Sequence, residues 1–259
     1  MGATRGVLLD IDGVLTVSWE ALPGAASTLA WLRREGVPFR LITNTTTHTR
    51  RDLATTLGEA GLDVRADEIV TAVVATASYL RAHHAGARVF LLSDGDARED
   101  LEGIELVGVD DADVVVLGGA SEDFTYPTLN RVFRRLAEGA ELVGMHRNLY
   151  WRTSEGFQLD SGAYVAGLEE ATGRAAVICG KPSSAFFEAA VGLLGVRAED
   201  AVMVGDDLVN DVLGAQAVGI AGVLVRTGKF LATDLERADA APDQVLDSIA
   251  NLPAWLEAR

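Results

Sequence analysis

The sequence predicts an α/β fold built around a mainly parallel sheet. Two observations support this prediction. Short runs rich in β-branched residues alternate with stretches of helical periodicity, an alternation typical of parallel sheets covered by helices. In addition, polar residues directly follow four of the apolar runs, and open α/β sheets collect ligands at the carboxyl ends of their strands. At 259 residues, the chain is long enough for one large or two modest domains.

Strands are predicted where an apolar run stops at a polar residue or a glycine, and helices where apolar residues recur at helical spacing. The predicted strands are, in chain order, 6–9, 37–42, 89–92, 114–117, 141–145, 176–179, 201–204 and 220–225. The predicted helices are, in chain order, 24–35, 49–60, 67–82, 129–137, 161–171, 208–217 and 244–256.

Start and stop signals support the first two helices. Leu29 and Leu32 fall on one face of the first helix, and Gly36 ends it. Thr49 is a suitable N-cap for the second helix, which Gly61 follows. The later elements rest on the alternation of apolar runs and helical stretches alone.

The polar strand ends are unevenly spaced, and this spacing predicts two domains. Two of them lie at or before Thr43 and two at or after Lys181, with no such group in the long stretch between. We therefore predict a catalytic core made of residues 1–82 and 176–259. An α/β domain, residues 83–175, is predicted to be inserted into it.

The composition excludes several classes of partner. The formal net charge of −16 argues against nucleic acid and anionic membranes, because both bind Lys- and Arg-rich surfaces. An anionic ligand would need a cation and local donors to reverse the sign of the charge at its site. Cys179 is the only cysteine, so no intramolecular disulfide is expected. The first residues contain no apolar signal segment, and a cytoplasmic location is expected.

The first polar strand end is DIDGVLT, residues 10–16. Asp10 and Asp12 stand two positions apart, so their side chains would share a face if the strand continued. One carboxylate of such a pair can attack phosphorus and bind a metal, while the other transfers protons at the leaving oxygen. The alternative is an Asx-turn that merely ends the strand.

The second and third strand ends offer groups that bind anions. Thr43, Asn44 and Thr45 provide hydroxyl and backbone N–H groups for phosphoryl oxygens, although the same pattern also fits a helix-capping turn. Lys181 follows a buried run and precedes Pro182, so its ammonium group is placed to offset negative charge in a cleft. For this motif the alternative is a simple helix start.

The fourth strand end carries Asp206 and Asp207, with Asp211 shortly after them. Carboxylate oxygens are the ligands that Mg²⁺ prefers, so a magnesium site is predicted here, with a solvated acidic loop as the alternative. Each motif alone is weak evidence. Their joint occurrence in the order Asp, Thr, Lys, Asp-Asp, each after an apolar strand, favours one shared site.

With these four motifs the chain resembles the haloacid dehalogenase superfamily of phosphohydrolases, and the motifs bracket nearly the whole chain. The long insertion between the second and third motifs resembles the cap of the class II group, which includes the NagD type. Three segments are similar to the branch that contains phospholysine phosphohistidine inorganic pyrophosphate phosphatase and its "domain-containing 2" relative: TNTT at 43–46, GKPSSAFFEAA at 180–190 and VRTGKF at 225–230. Mammalian members of that branch carry Ser two positions after the nucleophile, whereas this chain has Asp12.

The resemblance implies a Rossmann-like core with an inserted α/β cap and a phosphatase for a small phosphorylated metabolite. The substrate would be a phosphate monoester, a pyrophosphate or a phosphoramidate. Asp10 would be the nucleophile that forms an aspartyl-phosphate, and Asp12 the acid that protonates the leaving group and then activates water. Cap-mediated dimers occur among relatives, so the resemblance also allows a homodimer.

The resemblance assigns the remaining residues to the cation and to the phosphoryl oxygens. Mg²⁺ would be bound by the Asp10 carboxylate, the Asp12 backbone carbonyl and Asp206, with Asp207 and Asp211 as supporting residues. The residues that would hold the phosphoryl group are Thr43, Asn44, Thr45 and Lys181.

Three alternatives use similar residues. A phosphotransferase or mutase of the same superfamily would pass the phosphoryl group to an acceptor other than water. A phospho-accepting receiver module also uses Asp, Thr and Lys, but its acidic metal ligands lie earlier in the chain, and Asp12 would shorten the lifetime of its phosphate. A dehalogenase needs no Mg²⁺, so the acidic cluster of Asp206, Asp207 and Asp211 argues against a dehalogenase. Neither GxxxxGK[ST] nor GxGxxG follows a strand, so nucleotide-binding loops are not predicted.

Overall fold

The computed structural model of the chain describes residues 6–153 and 156–258. Its strands are β1 (Gly6–Asp10), β2 (Thr16–Val17), β3 (Glu20–Ala21), β4 (Phe39–Thr43), β5 (Ile69–Thr71), β6 (Arg88–Leu92), β7 (Glu105–Leu106), β8 (Val114–Leu117), β9 (Glu141–Gly144), β10 (Tyr150–Thr153), β11 (Gly156–Leu159), β12 (Val177–Ile178), β13 (Ala201–Gly205), β14 (Ala221–Val225) and β15 (Gln244–Leu246). Its α-helices are α1 (Ala25–Arg34), α2 (Arg50–Glu59), α3 (Ala72–His83), α4 (Tyr126–Ala137), α5 (Ser161–Thr172), α6 (Ser184–Leu194), α7 (Gly214–Gln216), α8 (Ala232–Arg237) and α9 (Leu252–Glu257). One turn of π-helix, Leu208–Leu213, precedes α7.

The described residues form two compact units. The first comprises residues up to 43, then 50–70, and 181 onwards; the second comprises 44–49 and 71–180. The second unit therefore interrupts the first twice. These limits differ from the predicted 82/83 and 175/176, because α3 and β12 belong to the second unit.

The first unit contains a six-stranded sheet in the order β15-β14-β13-β1-β4-β5. Strand β1 pairs in parallel with β13 on one side and with β4 on the other. The chain first extends the sheet through β4 and β5 and later resumes on the opposite side of β1 with β13. Strand order therefore switches between β1 and β13, the position where open α/β sheets bind ligands.

Burial of apolar side chains on the sheet explains why these strands form. All five residues of β1 are buried, as are all five of β13. Val7 and Leu9 of β1 pack in one core cluster that includes Leu29 of α1 and Leu53 of α2. At about 25 cal/mol per Å² of buried apolar surface, such contacts are the main force that fixes the position of β1.

The second unit contains a five-stranded sheet in the order β12-β9-β8-β6-β7, in which all four pairs of neighbouring strands are parallel. Strand β8 shows how both faces are covered. Val114 and Val116 pack in a cluster with Ala77 of α3, whereas Val115 and Leu117 pack in a different cluster that includes residues of α4 and α5. The alternation follows from the period of two along a strand. A separate antiparallel hairpin joins β10 and β11.

Two predicted helices are wrong in part. Within 67–82, Ile69–Thr71 forms the edge strand β5, and the helix begins only after Thr71, whose hydroxyl accepts a hydrogen bond from Val74 N at 3.2 Å. The β-branched run explains the strand. Within 244–256, Gln244–Leu246 forms β15 and only Leu252–Glu257 is α-helical. Among the described residues, no helix is both long enough and apolar enough to cross a membrane.

Candidate active site

The site of the first unit lies where the central parallel strands end. In the register of the sheet, Asp10 is opposite Ile42, and Leu9 is opposite Val204. Thr43 follows Ile42, and Asp206 lies just beyond the end of β13. Both therefore emerge at the same edge of the sheet as Asp10, as the strand-end pattern predicts.

Three carboxylates converge at this edge. One ligand atom from each of Asp10, Asp206 and Asp211 lies within 4.8 Å of the others, and all three residues are buried. Burial is the largest cause that raises the pKa of Asp10 and of Asp206, and it raises the pKa of Asp211 to about 6. Buried like charges at this distance require positive charge between them.

Lys181 supplies part of that positive charge. Its ammonium nitrogen lies 2.6 Å from Asp10 Oδ1 and 2.6 Å from Asp211 Oδ1, and the residue is only 7% exposed. Burial acts to lower the pKa of Lys181, but the charges of Asp10 and Asp211 outweigh it and hold the pKa above its ordinary value. The ammonium group therefore stays charged and bridges the nucleophile candidate to Asp211.

The π-helical turn after β13 places Asp211. The Asp207 carboxylate caps this turn, because it accepts hydrogen bonds from Val209 N at 3.1 Å and Asn210 N at 2.9 Å. The amide of Asp207 in turn donates to Asp211 Oδ2 at 3.2 Å. A Cβ at Gly205 would lie 2.2 Å from Asp211 Cβ, so only glycine admits Asp211 to this position. Asp207 thus shapes the turn and orients Asp211.

Backbone groups and glycines orient Asp206. Its Oδ2 accepts a hydrogen bond from Lys229 N at 2.7 Å. Cβ atoms at Gly13 and Gly228 would lie 1.9 and 2.0 Å from that oxygen, and both glycines have positive φ, 86° and 59°. Oδ1 of Asp206 is buried and has no hydrogen-bond partner among the described residues. A buried, unpartnered carboxylate oxygen is costly unless a cation binds it.

The other predicted residues occupy different surroundings. The side chain of Asp12 is exposed, and its residue forms a backbone bridge with Thr16 at the start of the β2–β3 hairpin. After burial, which is the main cause, the charge of Asp12 contributes to the raised pKa of Asp10. Thr43 is buried at the end of β4, whereas Asn44 and Thr45 are partly buried and belong to the second unit.

The geometry also reveals residues that sequence reasoning missed. Gly205 and Gly228 leave the space that Asp211 and Asp206 occupy, and the amide of Lys229 holds Asp206. The run VRTGKF contains Gly228 and Lys229, but its resemblance to related sequences assigned neither residue a role. The signal that could have indicated the two glycines is their place within a motif at or just after a strand end, because a glycine there marks a position where another group approaches closely.

Comparison with known proteins identifies relatives that match nearly the whole chain. The profile of the haloacid dehalogenase-like hydrolase family matches residues 7–107, and that of a HAD-hydrolase-like family matches residues 178–252. The human haloacid dehalogenase-like hydrolase domain-containing protein 2 is 40% identical over 240 residues, which cover 93% of this chain and 91% of that protein. Rat phospholysine phosphohistidine inorganic pyrophosphate phosphatase is 35% identical over 256 residues, 96% of this chain and 93% of that protein.

Solved structures with the same fold are similar over nearly their full length. The p-nitrophenyl phosphatase from Archaeoglobus fulgidus superposes with a TM-score of 0.89 at 29% identity, covering 100% of both chains. NagD from E. coli superposes with a TM-score of 0.88 at 29% identity, covering 96% of this chain and 98% of that one.

Proposed function

The chain belongs to the haloacid dehalogenase-like hydrolase family and is a phosphatase, and from this premise we propose a Mg²⁺-dependent mechanism through an aspartyl-phosphate on Asp10. The substrate would be a small phosphorylated molecule, either a phosphate monoester, a pyrophosphate or a phosphoramidate. The observation that supports this proposal most is the convergence of Asp10, Asp206, Asp211 and the ammonium group of Lys181 at one sheet edge.

The donor set fits a hard divalent cation. The converging groups are carboxylate oxygens, which Mg²⁺ prefers, and the buried Oδ1 of Asp206 lacks a partner among the described residues. We propose that Asp10, the backbone carbonyl of Asp12 and Asp206 hold the ion, and that Asp211 and Asp207 support it. When bound, the ion would supply positive charge against the phosphoryl group that is transferred.

Asp10 is the proposed nucleophile. Its Oδ1 contacts the Lys181 ammonium, which favours the ionised carboxylate and leaves the second oxygen for attack on phosphorus. The new bond joins that oxygen to phosphorus while the bond from phosphorus to the leaving oxygen breaks. Because phosphoryl transfer runs through a highly charged transition state, a fixed ammonium group beside the nucleophile stabilises it more than the ground state.

Asp12 is the proposed acid and base. Its exposed carboxyl group stands two residues after the nucleophile, at the turn that begins the β2–β3 hairpin. In the first step it would give its proton to the leaving oxygen. In the second it would take a proton from the water that attacks the phosphorus of the aspartyl-phosphate, which frees Asp10 and releases inorganic phosphate.

The remaining predicted residues would bind the non-bridging oxygens. Thr43 at the end of β4, together with Asn44, Thr45 and Lys181, provides hydroxyl, amide and ammonium donors for them. The second unit, residues 44–49 and 71–180, is proposed to be the cap that selects the leaving group. Its insertion between the second and third motifs is the observation that supports this assignment.

The proposal is tested by hydrolysis of p-nitrophenyl phosphate in the presence of Mg²⁺. We expect wild-type turnover to stop when the metal is chelated and to return when Mg²⁺ is added. Asp10→Asn removes the nucleophilic charge and should abolish turnover. Asp239→Asn, which removes an exposed carboxylate on the same unit, is the matched control and should retain it.

Two results would contradict the proposal. Retained turnover in Asp10→Asn would exclude Asp10 as the nucleophile. Transfer of the phosphoryl group to an alcohol acceptor without release of inorganic phosphate would favour a phosphotransferase.

A further inference from the structure

Lysine is rare in this chain compared with arginine. Lysine and arginine together number 22, yet lysine occurs only at positions 181 and 229. Lys181 lies between the carboxylates of the site. Lysine is a compact charge on a flexible stem, whereas arginine is a rigid planar fork, so the two are not interchangeable where a charge must reach into a confined space.

The loop that carries Lys229 is fastened to the site. Lys229 N donates to Asp206 Oδ2 at 2.7 Å, and the Thr227 hydroxyl donates to the carbonyl oxygen of Gly13. A Cβ at Gly228 would lie 2.4 Å from the Cα of Gly13, so the two backbones are in close contact. The backbone of Lys229 is therefore held directly beside a carboxylate of the proposed metal site.

The ammonium group of Lys229 is available to a ligand. Lys229 is exposed, and within the described part of the chain no carboxylate forms an ion pair with its ammonium group. Lys229 N lies 2.7 Å from Asp206 Oδ2, so the stem of the side chain starts directly beside that carboxylate. Lys181, by contrast, is already bound to Asp10 and Asp211.

We propose that Lys229 determines specificity by binding a second anionic group, carried on the leaving group of the substrate. The inference rests on the proposed phosphatase mechanism and names a preference within it. A substrate with a carboxylate or a further phosphate beyond the scissile bond brings negative charge to a protein of net charge −16. Lys181 offsets the charge at the reacting phosphorus, and Lys229 offsets the charge at the far end.

The test compares two phosphate monoesters of similar size. The leaving group of 2-phosphoglycolate carries a carboxylate, and that of 2-hydroxyethyl phosphate is neutral. We expect the wild type to prefer 2-phosphoglycolate, and Lys229→Met to lower the ratio of the two kcat/KM values by about tenfold, the effect of losing one charge-assisted contact. The change should appear mainly in KM. The wild-type preference should also weaken as ionic strength rises.

Two further variants separate charge from structure. Lys229→Met keeps the backbone N–H that binds Asp206, so its thermal midpoint should match that of the wild type. Lys229→Arg keeps the charge at an exposed position, where the shape of the cation is less restricted than at Lys181, and should retain most of the preference. Arg237→Gln removes an exposed cation elsewhere on the same unit and should leave the ratio unchanged.

The possible failures are distinguishable. If wild-type protein with Mg²⁺ hydrolyses neither ester nor p-nitrophenyl phosphate, the phosphatase mechanism itself is wrong. If it hydrolyses them but shows no preference for the anionic leaving group, or if Lys229→Met leaves the ratio unchanged, only the role of Lys229 is overturned.

Discussion

Replacement of Gly205 by alanine tests how the π-helical turn positions Asp211. The added Cβ would lie 2.2 Å from Asp211 Cβ, whereas carbon atoms in contact are about 3.5–4.0 Å apart. Asp211 would therefore have to retreat by at least about 1 Å. Its Oδ1 now lies 2.6 Å from Lys181 Nζ, so the same shift would break or stretch the buried ion pair.

Two effects determine the expected loss of stability, and a third determines the loss of turnover. Overpacking of a buried position costs about 1–3 kcal/mol. If the contact between Lys181 and Asp211 is lost altogether, the cost rises toward about 3–5 kcal/mol, because a buried charge loses its partner. A displacement of about 1 Å at catalytic groups lowers turnover by about 100-fold. Gly205→Ala should therefore lose both stability and activity.

The assay combines urea denaturation with hydrolysis of p-nitrophenyl phosphate. Gly192→Ala is the matched control, because Gly192 lies within α6 and a Cβ there would meet no atom within 4 Å. This control should gain about 0.4–1 kcal/mol of stability and keep its activity. If Gly205→Ala also gained stability and kept its activity, the close packing of Asp211 against β13 would be contradicted.

Three further predictions follow from the same site and its surroundings. Lys181→Met leaves two buried carboxylates without their cation, so we expect a loss of about 3–5 kcal/mol in urea denaturation and loss of turnover; unchanged stability would contradict the ion-pair geometry. Gly228→Ala places a Cβ 2.0 Å from Asp206 Oδ2 and should raise the Mg²⁺ concentration needed for half-maximal activity. Gly219 also has a positive φ, 85° against 59° at Gly228, but a Cβ there would meet no atom within 4 Å, so Gly219→Ala should leave that concentration unchanged. The thiol of Cys179 is fully buried, and burial raises its pKa to about 12, so it should react with a disulfide reagent at pH 8 only after unfolding; rapid reaction of the folded protein would contradict that burial.

The sequence was sufficient to predict the central strands and the residues at their ends. Strands β1 and β13 have five residues each and are too short for helices. Asp10 is the last residue of β1, and Asp206 directly follows β13. Because the carboxyl ends of parallel strands share one edge, Asp10 and Asp206 could be expected to meet without knowledge of the full topology. The structure places them together with Lys181 and Asp211.

Other features depend on three-dimensional contacts that local patterns do not encode. Strands β5 and β15 have three residues each and lie at the sheet edges, so their local pattern is indistinguishable from that of a helical stretch. The sequence predicts that β12 belongs to the catalytic core, but this strand pairs with β9 in the sheet of the second unit. The roles of Gly205 and Gly228 follow from distances to side chains far along the chain or around a turn, which spacing alone does not give.

The aspartyl-phosphate is the central claim of the mechanism, and direct detection of the phosphorylated residue tests it most directly. Wild-type protein would be mixed with substrate and Mg²⁺, quenched in acid within milliseconds, reduced with borohydride and analysed by peptide mass spectrometry. We predict that the peptide containing Asp10 carries the reduction product of an acyl phosphate and that the Asp10→Asn variant lacks it. A modification confined to another residue, or turnover with no modified residue, would contradict the mechanism.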